Sequence, residues 1–170
     1  MTNPLNRAAL ASPRVLAAWA FVGYAALALA FAFFDWVLPG DGSFSSRSAN
    51  AGFDDLPVMA MPVVAVLLAA HVAPAISGAK LICAAALAEY AVALFFGLVT
   101  LFVGLGIVFD SVTSVNDVFD ALGYLIMGLA NLALMAIAAY VVVRTFTGLG
   151  GRVPGGPAPV NPIPPQATSS

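Results

Sequence analysis

The stretch LICAAALAEYAVALFFGLVTLFVGLGIVF, Leu81 to Phe109, runs for 29 residues with a single charged side chain, Glu89. A hydrocarbon layer about 30 Å thick is crossed by about 20 mostly apolar residues in a helix. In lipid a backbone must satisfy its own hydrogen bonds, which leaves the helix as the structure for such a run. Three further segments have the same character, so the expected fold is all-α, a four-helix transmembrane bundle. The spans are expected at 13–38, 57–76, 80–109 and 118–145. They form a membrane domain over 13–147, between a short segment 1–12 and a tail 148–170 rich in Pro and Gly.

Composition supports lipid as the main solvent. Only 8% of the 170 residues are charged and 62% are hydrophobic, whereas soluble domains average about 25% charged. Six basic residues and a net charge of −2 cannot form a phosphate-binding stripe, which excludes nucleic acid as a partner. Cys83 is the only cysteine and His71 the only histidine. One chain therefore has no internal disulfide, no cysteine zinc site and no histidine pair for a haem. No cofactor or metal is expected.

The span boundaries carry helix-start chemistry. ASPRV offers Ser12 as N-cap with Pro13 at the first helical position; DDLP places Asp54 and Asp55 before Pro57; VNDVFD puts Asn116 or Asp117 at the fourth start, with Asp120 in the first turn. The apolar core Val15–Phe34 exceeds the usual 7–15 residues of a signal-peptide core and is expected to be retained. Trp19 and Trp36 are separated by about 26 Å of helix and suit two interfacial anchors. Arg7, Arg14, Lys80, Arg144 and Arg152 fall on one side of the bundle, opposite Arg47 and the acids Asp35, Asp41, Asp54, Asp55, Asp110 and Asp117. By the positive-inside rule both termini are cytoplasmic, in a plasma membrane. The exterior loop PGDGSFSSRSANAGFDD is expected to be mobile. The tail GLGGRVPGGPAPVNPIPPQATSS is expected to be disordered.

Lipid drives helix association weakly, so helices meet through small and polar residues. At 100° per residue, Ala85, Ala86, Glu89, Ala93, Gly97, Thr100 and Gly104 share one face of the third span, opposite Leu87, Leu94, Leu98, Leu101 and Leu105. The small face is expected against protein and the leucines against lipid. Tyr124, Gly128, Asn131, Met135 and Ala138 share a face of the fourth span. Ala93, Gly97, Gly104 and Gly128 are thus the candidate packing residues. Pro62 and Pro74 should each bend the second span.

The one constellation with chemical potential, in the inner half of the bundle, is Glu89 and His71, which a tight SGAK turn brings together, with Asn131 joining from the far side of Glu89. Inserting a charged residue at mid-membrane costs about 2.5–3.5 kcal/mol, so such a residue is a functional candidate. The alternative is a hydrogen bond from Glu89 to Asn131, Tyr90 or a freed carbonyl of span two that only holds helices together. A cation at DSVTSVND lacks the ligand spacing of a calcium loop, and GLVTLFVGLG lies inside a span, where it is packing surface. No catalytic set stands at a water interface, so no enzyme is expected.

ALAEYAVALFFGLVTLFVGL, an acidic loop and LGYLIMGLANLALMAIAAYVVVRTF together resemble uncharacterised four-span membrane proteins of actinobacteria. The resemblance covers about Leu81 to Phe146 and rests on EYAVALFFGL. It implies an integral protein of the plasma membrane and no particular activity.

Two functions remain. The first is a non-enzymatic bundle that acts through helix contacts with itself or another membrane protein. The second is a small proton- or cation-linked transporter using Glu89, with His71 and Asn131 tuning it. Water-sized space beside Glu89 that reaches a surface would discriminate between them.

Overall fold

A computed structural model describes residues 4–39, 42–72 and 75–151. Helix α1 is Pro4–Val37, α2 is Phe44–Ala49, and a 3-10 turn covers Gly52–Asp54. Helix α3, Leu56–Val66, runs into a π turn at Leu67–His71; α4 is Ala79–Asp110 and α5 is Val115–Gly148. No strand occurs among the described residues. Four segments are long and apolar enough to cross a membrane: Pro13–Val37, Phe44–His71, Ala79–Asp110 and Val115–Gly148. The chain is a four-helix membrane protein.

Small residues set how closely these helices approach. Helix α1 buries Ala18, Val22, Ala25 and Leu29 along one stripe, and α4 answers with Ile82, Cys83, Ala86, Tyr90 and Ala93. Replacing a bulky core by alanines lets backbones come together where dispersion contacts, not water exclusion, hold helices. Helix α5 contributes only Ala121, Met135 and Val142 to the buried set. Ala138, Ala139 and Phe146 are half-buried against the core, while Leu122, Ile126, Leu129, Leu134 and Ile137 are exposed on the outside of the bundle.

Three starts and bends differ from the sequence reading. Helix α1 does not begin at Ser12–Pro13 but at Pro4, with Pro13 inside it. The start of α5 lies earlier than Asn116: Ser114 is its N-cap, accepting from the Asp117 amide, while the Asp117 carboxylate reaches back to the amides of Thr113 and Ser114. That is a capping box, which satisfies donors at both places. In the second span the departure from regular helix is the π turn after Val66; Pro74 lies outside the described residues. Arg14 of α1 closes this turn, donating from Nη2 to the Leu68 carbonyl at 2.9 Å and to the Val72 carbonyl. Carbonyls at a helix end lack amide partners, and a guanidinium there supplies both donor and favourable charge.

The larger correction concerns the exterior loop. Residues 42–55 are folded, not mobile: α2 and the 3-10 turn dock against α4, with Ser48 at 2% and Phe53 at 0% exposure. Trp36 is half-buried in this packing and donates from Nε1 to the Ser48 hydroxyl at 2.8 Å. The ring is therefore a prop for the inserted segment before it is an interfacial anchor. Arg47 donates to the carbonyls of Trp36 and Gly42. The Phe53 ring stacks on Phe96 with centroids 5.3 Å apart. Phe96 lies about 21 Å down the axis from the end of α4 at Asp110, so the α1–α3 connection sits deep beside the α4–α5 hairpin. The tail beyond Gly151 lies outside the described residues.

Candidate functional site

Room for the inserted segment comes from glycines. A Cβ added to Gly104 would stand 3.0 Å from the Ala49 Cα and closer still to the Tyr124 hydroxyl. One added to Gly97 would meet the Leu132 Cδ2 at 3.1 Å, and one at Gly128 the Leu101 Cδ1 at 2.5 Å. Ala93, Gly97 and Gly104 are buried, and Gly128 is half-buried under Leu101. Leu101 is itself buried. It departs from the expected lipid-facing stripe because Gly128 leaves a hollow on α5 that its side chain fills.

Beside these glycines lies a cavity of about 180 Å³ lined by Ser48, Asp54, Thr100, Tyr124 and Asn131. The Asn131 amide donates to Asp54 Oδ2 at 3.0 Å. The Thr100 hydroxyl bonds back to the Phe96 and Gly97 carbonyls, and Ser48 to that of Phe44. Thr100 and Ser48 are satisfied within their own helices, and the Asn131–Asp54 bond ties the inserted connection to α5. Asp54 was readable only as a helix-start acid. Its partner is 77 residues away, and no local pattern distinguishes a capping aspartate from one that reaches across a bundle.

Glu89 occupies a different place. It is 8% exposed, and its Oε2 is fully buried with no hydrogen-bond partner. It lines a cavity of about 380 Å³ between α1 and α4, among Ala26, Leu29, Ala30, Phe33, Val92 and Phe96. Several of these walls are exposed on the outside of the bundle, notably Ala26, Ala30, Phe33 and Val92. In a membrane that side meets acyl chains. Two partners that would make Glu89 a helix brace are engaged elsewhere: Asn131 with Asp54, and the Tyr90 hydroxyl with the Met59 carbonyl at 2.5 Å.

His71 is in neither place. It is exposed at the end of the π turn and lines a third cavity, about 520 Å³, with Tyr140, Arg144 and Thr145 of α5. The structure therefore does not bring Glu89, His71 and Asn131 into one cluster. Helical rise places the three in the inner half of the bundle, but the bundle points them to three different sides. No group of three or more His, Cys, Asp or Glu with metal-binding geometry occurs among the described residues.

Fold and geometry together define a class: a four-helix membrane protein with a connection sunk between its helices and one unmatched carboxyl at a side groove. No protein-family model matches the chain, and neither a curated protein nor a solved structure is similar to it.

Proposed function

We propose that the protein is a small non-enzymatic carrier in which Glu89 takes up and releases a proton or a cation inside the membrane. The observation that carries this reading is the Glu89 Oε2 atom, buried without a partner beside open space. A buried acceptor without a bond costs about 1–3 kcal/mol, and more when charged. A group that only braces helices removes that cost by bonding to a neighbour, as Asp54 does with Asn131. A carboxyl without a protein partner on a cavity wall instead leaves a bond to be supplied by a ligand. With His71 and Asn131 placed elsewhere, Glu89 works alone among the three.

Glu89→Gln keeps the size of the side chain and removes its charge. In proteoliposomes this variant is expected to abolish proton- or cation-coupled flux while the thermal unfolding midpoint in detergent stays within a few degrees of the parent. Unchanged flux would overturn the proposal.

The same reading places the chain in the plasma membrane with both termini in the cytoplasm. It is supported by the distribution of charge, with Arg14, Lys80 and Arg144 toward one end of the bundle and Asp110, Asp117 and Asp120 toward the other. Labelling single cysteines at Ser111 and Gly148 from either side of intact cells tests it; modification of Gly148→Cys by an impermeant reagent from outside would reverse the orientation.

A second reading, self-association, draws on α5. This helix buries three residues of its 34, and Gly123 has nothing within 4 Å of an added Cβ. Gly123, Ala130 and Ala133 are exposed together and would let a second α5 approach closely. Disulfide crosslinking of Ala130→Cys in native membranes tests this, with monomer alone as the refuting result.

A further inference from the structure

Resting on Glu89 as the binding group, we infer that the cargo is a protonated lipophilic amine that reaches the site sideways from the bilayer through the α1–α4 groove. Three observations define it. The cavity volume, about 380 Å³, lies within the range of about 300–1,000 Å³ typical of small-molecule sites. Its walls are apolar except for the carboxyl: alanines 26, 30 and 88, Leu29 and Val92, with Phe33 and Phe96 rings 5.4 Å apart. Its mouth opens on the side of the bundle, between helices that cross the membrane.

The chemistry of the occupant follows from these walls. A hydrated metal ion brings a shell of water that finds no second polar ligand in the groove. An anion is repelled by Glu89. A neutral hydrocarbon fills the space but leaves the Glu89 carboxyl unmatched. A monocation with an apolar body satisfies both features, and its positive end can also lie against the Phe33 and Phe96 faces.

The unmatched acceptor narrows the class further. The Glu89 carboxyl at the groove wall has no hydrogen-bond donor within the protein, and an ammonium N–H provides one where a fully alkylated nitrogen does not. Charge-assisted bonds of this type are about twice as strong as neutral ones. The groove therefore selects protonated amines over quaternary ammonium ions of the same skeleton.

The test uses the full chain in lipid nanodiscs, with empty nanodiscs subtracting partition into lipid. The probes are N,N-dimethyl-1-naphthylmethylamine, its N,N,N-trimethyl analogue and 1-ethylnaphthalene. Saturable binding of the tertiary amine is expected to be about tenfold tighter than that of the quaternary ion, and the preference should collapse in Glu89→Gln. Ala30→Leu, which narrows the groove without touching the carboxyl, should weaken both cations together. Equal binding of all three probes, or an amine preference that survives Glu89→Gln, overturns the inference. Glu89-dependent flux of protons or Na⁺ without saturable amine binding overturns the amine and leaves the carrier standing. Absence of both flux and binding overturns both.

Discussion

Replacing Gly104 by alanine tests whether the α1–α3 connection is packed into the bundle. The added Cβ would lie 3.0 Å from the Ala49 Cα and inside the contact distance of the Tyr124 hydroxyl. The tyrosine can swing its ring tip away. The Ala49 backbone cannot yield alone, because α2 is held by the Trp36–Ser48 hydrogen bond and the 3-10 turn that follows it by the Phe53–Phe96 stack. Forcing one extra methyl into such a contact costs about 1–3 kcal/mol. Gly106 is the internal control: it lies two residues on in the same helix, and an added Cβ meets nothing within 4 Å. Gly106→Ala carries only the helix-propensity gain of up to about 1 kcal/mol. Gly104→Ala should therefore be about 2 kcal/mol less stable than Gly106→Ala by reversible unfolding in bicelles. In a Trp19→Phe background it should also shift the fluorescence of Trp36. Equal stability of the two variants within about 0.5 kcal/mol, the usual range for surface changes, together with unaltered Trp36 emission, would refute the docking of α2 on α4.

Other parts of the structure make their own demands. A double-mutant cycle on Asp54→Ala and Asn131→Ala should return a coupling of about 0.6 kcal/mol, the average for hydrogen bonds within membranes, and at most about 1.7; zero coupling would show that the two do not meet. Ser114→Ala removes the acceptor that caps α5 and should cost about 1 kcal/mol, read as a lower unfolding midpoint, with Ser114→Asp restoring most of the loss. Arg14→Gln should loosen the π turn, since the Leu68 and Val72 carbonyls lose a charged donor; faster amide exchange at residues 68–72 than in the parent is the expected signal, and equal protection would count against the capping role.

The parts of this fold that were legible are those set by periodicity. Apolar length located four spans, and a 100° projection grouped Ala85, Ala86, Glu89, Ala93, Gly97, Thr100 and Gly104, of which all but the half-buried Ala85 are buried in α4. Short-range chemistry was readable but misplaced by a turn, as at Ser114, because several neighbouring polar residues can each serve as a cap. The connection between α1 and α3 was opaque for a different reason. Its Gly, Ser and Asp residues look like those of a solvated loop, and what draws them inward is a hollow on another helix, at Gly97 and Gly104, more than 40 residues on. Composition of the loop alone carries no trace of that hollow.

The same limit applies to the acids, and there it bears on function. Asp54 and Glu89 are both drawn into the bundle of a membrane protein, and both pay desolvation. Sequence ranked Glu89 above Asp54 because it lies within an apolar run, and grouped it with Asn131 because both fall in the inner half of the bundle. Depth is fixed by helical rise, whereas pairing depends on how each helix is turned about its axis, which rise does not determine. In the folded chain Asn131 serves Asp54 at 3.0 Å, and this leaves Glu89 Oε2 with neither amide nor water-facing surface. One acid is thereby accounted for as a brace. The other is buried and unmatched at a groove of about 380 Å³, and it is this difference between a half-buried, paired carboxyl and a buried, unpaired one that supports Glu89 as the proposed binding group.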